Sequence, residues 1–359
     1  MTLIFIIVVI YLAFISVLIN TVKTLFLLSQ HDIKSKVNIS IVIAAKNEEK
    51  NLPRLITALS KQKYPDDFFE VIIVDDNSTD STFETGRNLI KDLKNFSICR
   101  VKEKRFEGKK GALQFGIEMA KNPYILITDA DCSPEDKWIQ AFADKFYLHF
   151  DFVFGVAPFH ETGNFTNRIS CFENLRTTLL TLTAAKLKLP YSAAARSFGF
   201  SKDSFHKIAG YANTTETLSG DDDLLLREAV KHKMKIEVIA DKDAFVYSET
   251  VITLKGYLKQ KARHTSTSVH YLFSHKLFLG SWHLLNLFFL VSPVFIFISN
   301  KFLILFFIKL FGDLSLVLMT QKYFNYHFNF IEIILQQIIY EFMLILNLFN
   351  ANFKKIEWK

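Results

Sequence analysis

Apolar residues are distributed very unevenly along this chain. Residues 2–28 form an apolar run thinly interrupted by Asn20, Thr21, Lys23 and Thr24, and apolar runs recur from Leu277 onward. The stretch between them has ordinary soluble character, and its periodicity switches repeatedly. The β-branched run 37–45 predicts a strand, and Leu52, Leu55, Ile56 and Leu59 at helical spacing predict a helix after it. Strands are expected at 69–74, 96–101 and 124–128, with helices at 81–93 and 108–120 between them. Strand–helix alternation at this interval predicts a mostly parallel sheet with right-handed crossovers. Beyond it, the pattern suggests a strand at 151–156, a helix at 168–189, a strand at 193–200, a short helix at 202–210 and a helix at 224–231.

The flanking runs read as membrane segments around a soluble domain. Residues 1–30 lack a basic start and a small-x-small cleavage site, so a retained anchor is expected rather than a secretory signal. The soluble domain is placed at 37–270 and the C-terminal membrane or interfacial helices at 277–350. Within the latter, spans are expected at 277–298, 302–319 and 328–349, giving three C-terminal crossings. The second span carries Lys309 and Asp313, which fit a membrane only if paired or facing protein. The third carries Glu332, Gln336, Gln337 and Glu341 as a polar stripe, suited to an interface or to a bundle lining.

Charge orients this arrangement. The formal net charge is +7, and much of the excess flanks the apolar runs: Lys34 and Lys36, then Lys255, Lys259, Lys261, Arg263 and Lys276. Positive flanks mark the cytoplasmic side, so a multi-pass protein of the cell membrane with its central domain in the cytoplasm is expected. The basic tail residues Lys354, Lys355 and Lys359 would prefer the same side, which takes an even number of C-terminal crossings: two crossings and an interfacial helix satisfy charge, three crossings satisfy length, and three are expected here. Membrane lipids are thus expected partners, whereas no recognition motif interleaves the basic residues and no nucleic acid is expected. Cys99, Cys132 and Cys171 show no Cys-x-x-Cys spacing and fit reduced thiols, with Cys132 a small packing residue. Glu173 and Arg176 read as a surface pair.

Candidate chemistry sits where strands end. Residues 125–131 read Ile-Leu-Ile-Thr-Asp-Ala-Asp, an apolar run stopping at two carboxylates. Asp129 and Asp131 repel each other at the end of a buried strand, and a divalent cation removes that penalty. Hard oxygen ligands with room for phosphate suit Mg²⁺ or Mn²⁺. Polar clusters also follow the first two strands, at 45–48 and 75–80. The carboxyl edge of a parallel sheet is where ligands bind in open α/β folds. Asp221, Asp222 and Asp223 open a later helix, and three acids in a row exceed what capping needs.

These blocks together resemble membrane-anchored family 2 glycosyltransferases with the GT-A fold, of the cellulose synthase and poly-N-acetylglucosamine synthase kind, over roughly residues 37–270. Ile41 to Glu49 resembles the first-strand block that frames the nucleotide base, with Ala44 where Pro is usual. Val74 to Asp80 resembles the block whose aspartate hydrogen-bonds the base. Gly108-Lys109 resembles the lysine block near the donor phosphates, and Asp129-Ala130-Asp131 the metal block. Ser219 to Arg227 resembles the Thr-Glu-Asp-x-Asp-Leu-x-Leu-Arg block, with Gly220 where Glu is common. That register puts the catalytic base at Asp221, or at Asp222 if shifted by one. Gln260-Lys261-Ala262-Arg263-His264 resembles the Gln-x-x-Arg-Trp block of processive polymerases, with His264 for Trp.

The resemblance implies inverting transfer of a hexose or N-acetylhexosamine from a nucleotide-diphosphate sugar, with UDP favoured, to a membrane-associated lipid or polysaccharide acceptor in cell-envelope polysaccharide biosynthesis. Donor contacts would come from Ala45, Glu48, Asp75, Asp76, Lys109, Asp129, Gln260 and Arg263. A processive polysaccharide synthase and a non-catalytic membrane scaffold on a transferase fold are the alternatives.

Overall fold

The computed structural model describes residues 2–28 and 33–353; the tail lysines Lys354, Lys355 and Lys359 lie outside the described residues. The strands are β1 (Ile39–Ala45), β2 (Phe69–Asp75), β3 (Phe96–Arg100), β4 (Tyr124–Ile127), β5 (Cys132–Pro134), β6 (Phe152–Gly155), β7 (Phe198–Ser201), β8 (Ile236–Ile239) and β9 (Val246–Ser248). The helices are α1 (Thr2–Leu28), α2 (Leu52–Ser60), α3 (Thr82–Leu89), α4 (Gly108–Met119), α5 (Trp138–Tyr147), α6 (Phe165–Lys186), α7 (Lys202–Lys207), α8 (Asp223–Lys231), α9 (Leu254–Thr267), α10 (Phe273–Val291), α11 (Lys301–Thr320) and α12 (Phe330–Phe353). They divide into two units. One comprises residues 33–160 and 190–250, the other residues 2–28, 161–189 and 251–353.

The first unit is α/β. Among the described residues, seven strands form one sheet in the order β3-β2-β1-β4-β7-β6-β8, and β5 pairs with β9 in a second, two-stranded one. β1 lies parallel to both β2 and β4, and β2 parallel to β3, as the strand–helix alternation predicts. Every residue of β1 is buried, which is why it reads as a nearly continuous apolar run, broken at Ser40, rather than an alternating one. α4 crosses directly over β1 and β2 at Gly116, where a Cβ would run into Val42 and Val74. On the sheet's other face, Leu52, Leu55, Ile56 and Leu59 of α2 and Trp138, Ile139, Phe142 and Phe146 of α5 fill the core.

The sheet is mostly parallel, as expected, with β7 running antiparallel to both β4 and β6. Strand direction leaves no trace in an apolar run, so the sequence could not show which strand breaks the pattern. The helix expected at 81–93 stops at Leu89.

The second unit is helical. Four of its described helices are long and apolar enough to cross a membrane: Ile4–Leu28, Phe273–Phe295, Lys301–Phe324 and Phe330–Asn347. Glu173 and Arg176 on α6 are not a surface pair. Both are buried; Glu173 accepts from the Tyr257 hydroxyl at 2.6 Å and meets Lys261 at 3.0 Å, while Arg176 donates to Asp313 at 2.9 Å. Their i, i+3 spacing mimics a solvated pair, whereas their partners are distant in sequence. The polar stripe of α12 faces protein, with Gln336, Gln337 and Glu341 all buried.

Candidate active site

The strand exits build the site. β1 ends at Ala45, and Asn47 two residues later adopts φ 59°; Asn77 does the same after β2, with φ 54°. Asparagine tolerates this left-handed backbone, so both strands turn sharply at the same sheet edge. The two turns are tied together. The Asp76 N–H donates to the Ala45 carbonyl at 2.7 Å, the Asn47 N–H to the Ser78 hydroxyl at 2.9 Å, and the Thr79 N–H to the Asn47 side-chain oxygen at 2.8 Å.

Asp75 closes β2 with its carboxylate buried, accepting from the Ser78 N–H at 3.3 Å and lying 3.6 Å from the Arg100 guanidinium. Asp76, also buried, pairs with Lys104. Glu48 accepts from the Asn51 side chain at 2.6 Å. Ser78 and Asp80 serve the turn and the start of α3, Asp80 accepting from the Thr82 N–H at 3.0 Å.

The carboxylates after β4 lie on the same edge. The Arg54 guanidinium donates to the Asp131 carbonyl at 2.5 Å, bracing the turn from α2. Ligand atoms of Asp129, Asp131 and Cys132 lie within 4.8 Å of one another. Burial, with the carboxylates of Asp131 and Asp129 beside it, pushes the Cys132 thiol well above its usual range. The donor set is therefore two half-buried carboxylates next to a protonated thiol. That suits a hard cation with open coordination positions better than a soft one.

Lys109, on the first turn of α4, connects this edge to the acid trio. Its ammonium lies 2.6 Å from Asp129 and 2.6 Å from Asp221. Burial opposes the charge of Lys109, but the carboxylates of Asp129 and Asp221 outweigh it and hold the ammonium well above its usual range. Burial likewise opposes ionisation of Asp221, yet Lys109 holds that carboxyl below its usual range. Asp222 is different. Burial beside Asp223 and Asp221 pushes it up, and its two oxygens accept from the Asp223 and Ala195 N–H groups at 2.7 and 2.8 Å. Asp222 caps α8, whereas Asp221 faces the Lys109 ammonium.

The structure thus gathers Asp129, Lys109 and Asp221 into one cluster and ties the Ala45–Glu48 and Asp75–Asp80 turns together. Gln260 and Arg263 lie on α9 of the helical unit. Three site-forming cations were not singled out from sequence, Arg54, Lys104 and Lys110, and Arg227 was named only as the end of a motif block. Lys110 was adjacent to a named residue, and only its burial distinguishes it.

A mostly parallel sheet with acidic strand exits and one antiparallel strand is the GT-A architecture of nucleotide-diphospho-sugar transferases. Residues 40–208, just under half of the chain, match the model of glycosyl transferase family 2. It is similar to a glycosyltransferase of Haloferax volcanii, 31% identical over 102 residues, which are 28% of this chain and 33% of that one. A beta-monoglucosyldiacylglycerol synthase of Nostoc is 37% identical over 93 residues, 26% of this chain and 20% of that one. A UDP-Glc:alpha-D-GlcNAc-diphosphoundecaprenol beta-1,3-glucosyltransferase of Escherichia coli is 32% identical over 101 residues, 28% and 36% of the two chains. The similarity spans about a third or less of the first two of these relatives' own lengths. Among solved structures, a mannosyltransferase of Pyrobaculum calidifontis in complex with GDP-Man and Mn²⁺ superposes with a TM-score of 0.58 at 14% identity, covering 98% of this chain and all of that one.

Proposed function

We propose that the protein is an inverting glycosyltransferase that moves a hexose or N-acetylhexosamine from a UDP-sugar to a membrane lipid or lipid-linked acceptor. The observation that carries this reading is the Lys109 ammonium, 2.6 Å from both Asp129 and Asp221. It supports one crevice in which a donor diphosphate and an acceptor hydroxyl would meet. Two relatives, one a monoglucosyldiacylglycerol synthase and one a glucosyltransferase acting on a diphosphoundecaprenol-linked sugar, favour a lipid acceptor.

Asp75, Asp76 and Glu48 would frame the nucleotide base beside Ala45. Asp129 and Asp131 would hold Mg²⁺ or Mn²⁺, which when bound neutralises diphosphate charge. Lys109 would share its ammonium with the donor phosphates while staying beside Asp221. Asp221, kept ionised, would accept the acceptor hydroxyl proton as that oxygen attacks the anomeric carbon and the UDP–sugar bond breaks. Attack opposite the leaving group inverts the configuration.

The basic residues Lys34, Lys36, Lys255, Lys259 and Lys276 support a cytoplasmic α/β unit. Impermeant protease added to sealed right-side-out vesicles should leave that unit intact; cleavage within it would reverse the orientation.

The test uses the full chain in lipid nanodiscs with a panel of nucleotide sugars and a diacylglycerol or polyprenyl phosphate acceptor. Nucleotide release should require Mg²⁺ or Mn²⁺. Asp221→Asn should lower turnover by about 10²–10⁴-fold, the range for loss of a general base, with UDP binding retained. Unchanged turnover in that variant rejects the base assignment.

A further inference from the structure

Lys110 is a buried cation that the reaction above does not use. Only 2% of it is exposed. Its ammonium donates to two backbone carbonyls, that of Thr214 and that of Thr217, the latter at 2.9 Å. Burying an ammonium is costly, and two carbonyls offset that cost only if they are held in place. Both carbonyls belong to the irregular segment that leads into Asp221.

A second cation grips the same segment. Arg227 on α8 donates to the Asn213 carbonyl at 2.7 Å and pairs with Glu216 at 2.8 Å. At the far end, Asp222 accepts the Ala195 N–H at 2.8 Å. Just before Asp221, Gly220 turns the chain with φ +78°. Residues 213–222 are therefore fastened at both ends, and Asp221 projects from the last turn. Lys109 and Lys110 are successive on α4, so they point about 100° apart. One reaches the Asp221 carboxylate; the other reaches the backbone that delivers it.

We propose that Lys110 and Arg227 latch residues 213–222, and that Lys110 is a positioning residue for the transfer step, acting through the Thr214 and Thr217 carbonyls on the placement of Asp221. The proposal rests on the reading of Asp221 as the base. A latch of this kind affects the acceptor step, because the donor's diphosphate and base are met by residues on other strand exits. A misplacement of about 1 Å in a catalytic group costs on the order of 10²-fold in rate.

The experiment compares wild type, Lys110→Met, Lys110→Arg, Arg227→Gln and Asp221→Asn as full chains in nanodiscs. For Lys110→Met, kcat for the donor selected above should fall by about 10²-fold. Its donor KM and its affinity for UDP with Mn²⁺ should stay at the wild-type value. Hydrogen exchange should accelerate in peptides covering 213–222 and not in those of β1 and β2. Lys110→Arg, which keeps the charge and the donors, should recover part of kcat. Arg227→Gln should accelerate exchange in the same peptides.

Retention of kcat in Lys110→Met overturns the proposal. So does a loss of UDP–Mn²⁺ affinity in step with kcat, or faster exchange across the whole sheet, since either marks a general structural role. If Lys110→Met does not fold, Arg227→Gln alone decides, by whether exchange rises locally. Normal turnover in Asp221→Asn sinks the base assignment instead, and is told apart because the exchange result does not depend on it.

Discussion

Charge at the site turns on Lys109, one ammonium between two carboxylates that would otherwise be half-buried and unpaired. Asp221 has a depressed carboxyl pKa in the fold, so its pairing stabilises the protein above the ordinary carboxylate range. That contribution is lost as pH falls through the depressed value. Lys109→Met removes the charge that outweighs burial, and Asp221 must then rise. The acid limb of the kcat/KM profile should move to higher pH in this variant; a limb in its wild-type place would show that Lys109 does not govern Asp221. The proposed cation ligands Asp129 and Asp131 have a separate signature. Asp129→Asn and Asp131→Asn should each weaken Mn²⁺ binding in the presence of UDP by about tenfold or more, from the loss of one charged ligand. Titration followed by the Mn²⁺ paramagnetic signal reads this directly, and unaltered affinity in both would remove these residues from the cation site.

At the level of elements, the site depends on how closely α4 lies on the sheet. Gly116 permits that approach, with Val42 and Val74 directly beneath it. Gly116→Val overpacks this contact and should cost about 1–3 kcal/mol, read as a lower denaturation midpoint. UDP binding should weaken with it, because α4 carries Lys109; a variant as stable as wild type would mean the sheet yields at no cost. β1, β2 and β4 were legible in the sequence because strands buried on both faces leave nearly continuous apolar runs rich in Ile and Val. The acids after them were legible because carboxylates at a buried strand end need an explanation. α5 and α9 were not singled out. α9 carries Lys255, Lys259, Lys261, Arg263 and His264, and read as a charged flank rather than as a helix. The meeting of Lys109 with Asp221, 112 residues away, has no local signature at all. Nor has the antiparallel course of β7, which only pairing reveals.

On the scale of the whole molecule, the helical unit poses a problem that the α/β unit does not. Lys309 and Asp313 lie in a helix apolar enough to cross a membrane, where an unpaired charge is costly. Lys309 meets Asp313 at 2.9 Å, Glu341 at 3.1 Å and the Asn286 side-chain oxygen at 2.8 Å. Arg176 meets Asp313 at 2.9 Å, and the Tyr11 hydroxyl donates to the same carboxylate at 3.3 Å. Two cations and two carboxylates thus balance, and their side chains come from α6, α11 and α12, with Tyr11 from α1 and Asn286 from α10 completing the set. Such a network stabilises only while it is neutral. Removing one member of a buried pair typically costs about 3–5 kcal/mol, whereas replacing both is often near neutral. Lys309→Met leaves Asp313 and Glu341 against Arg176 alone, and should lower the thermal midpoint of the full chain in detergent by a corresponding amount. Adding Glu341→Gln restores the balance and leaves the Arg176–Asp313 contact in place, so the double variant should regain most of the loss. If the double variant is as unstable as the single one, packing around Lys309 rather than charge balance holds these helices together.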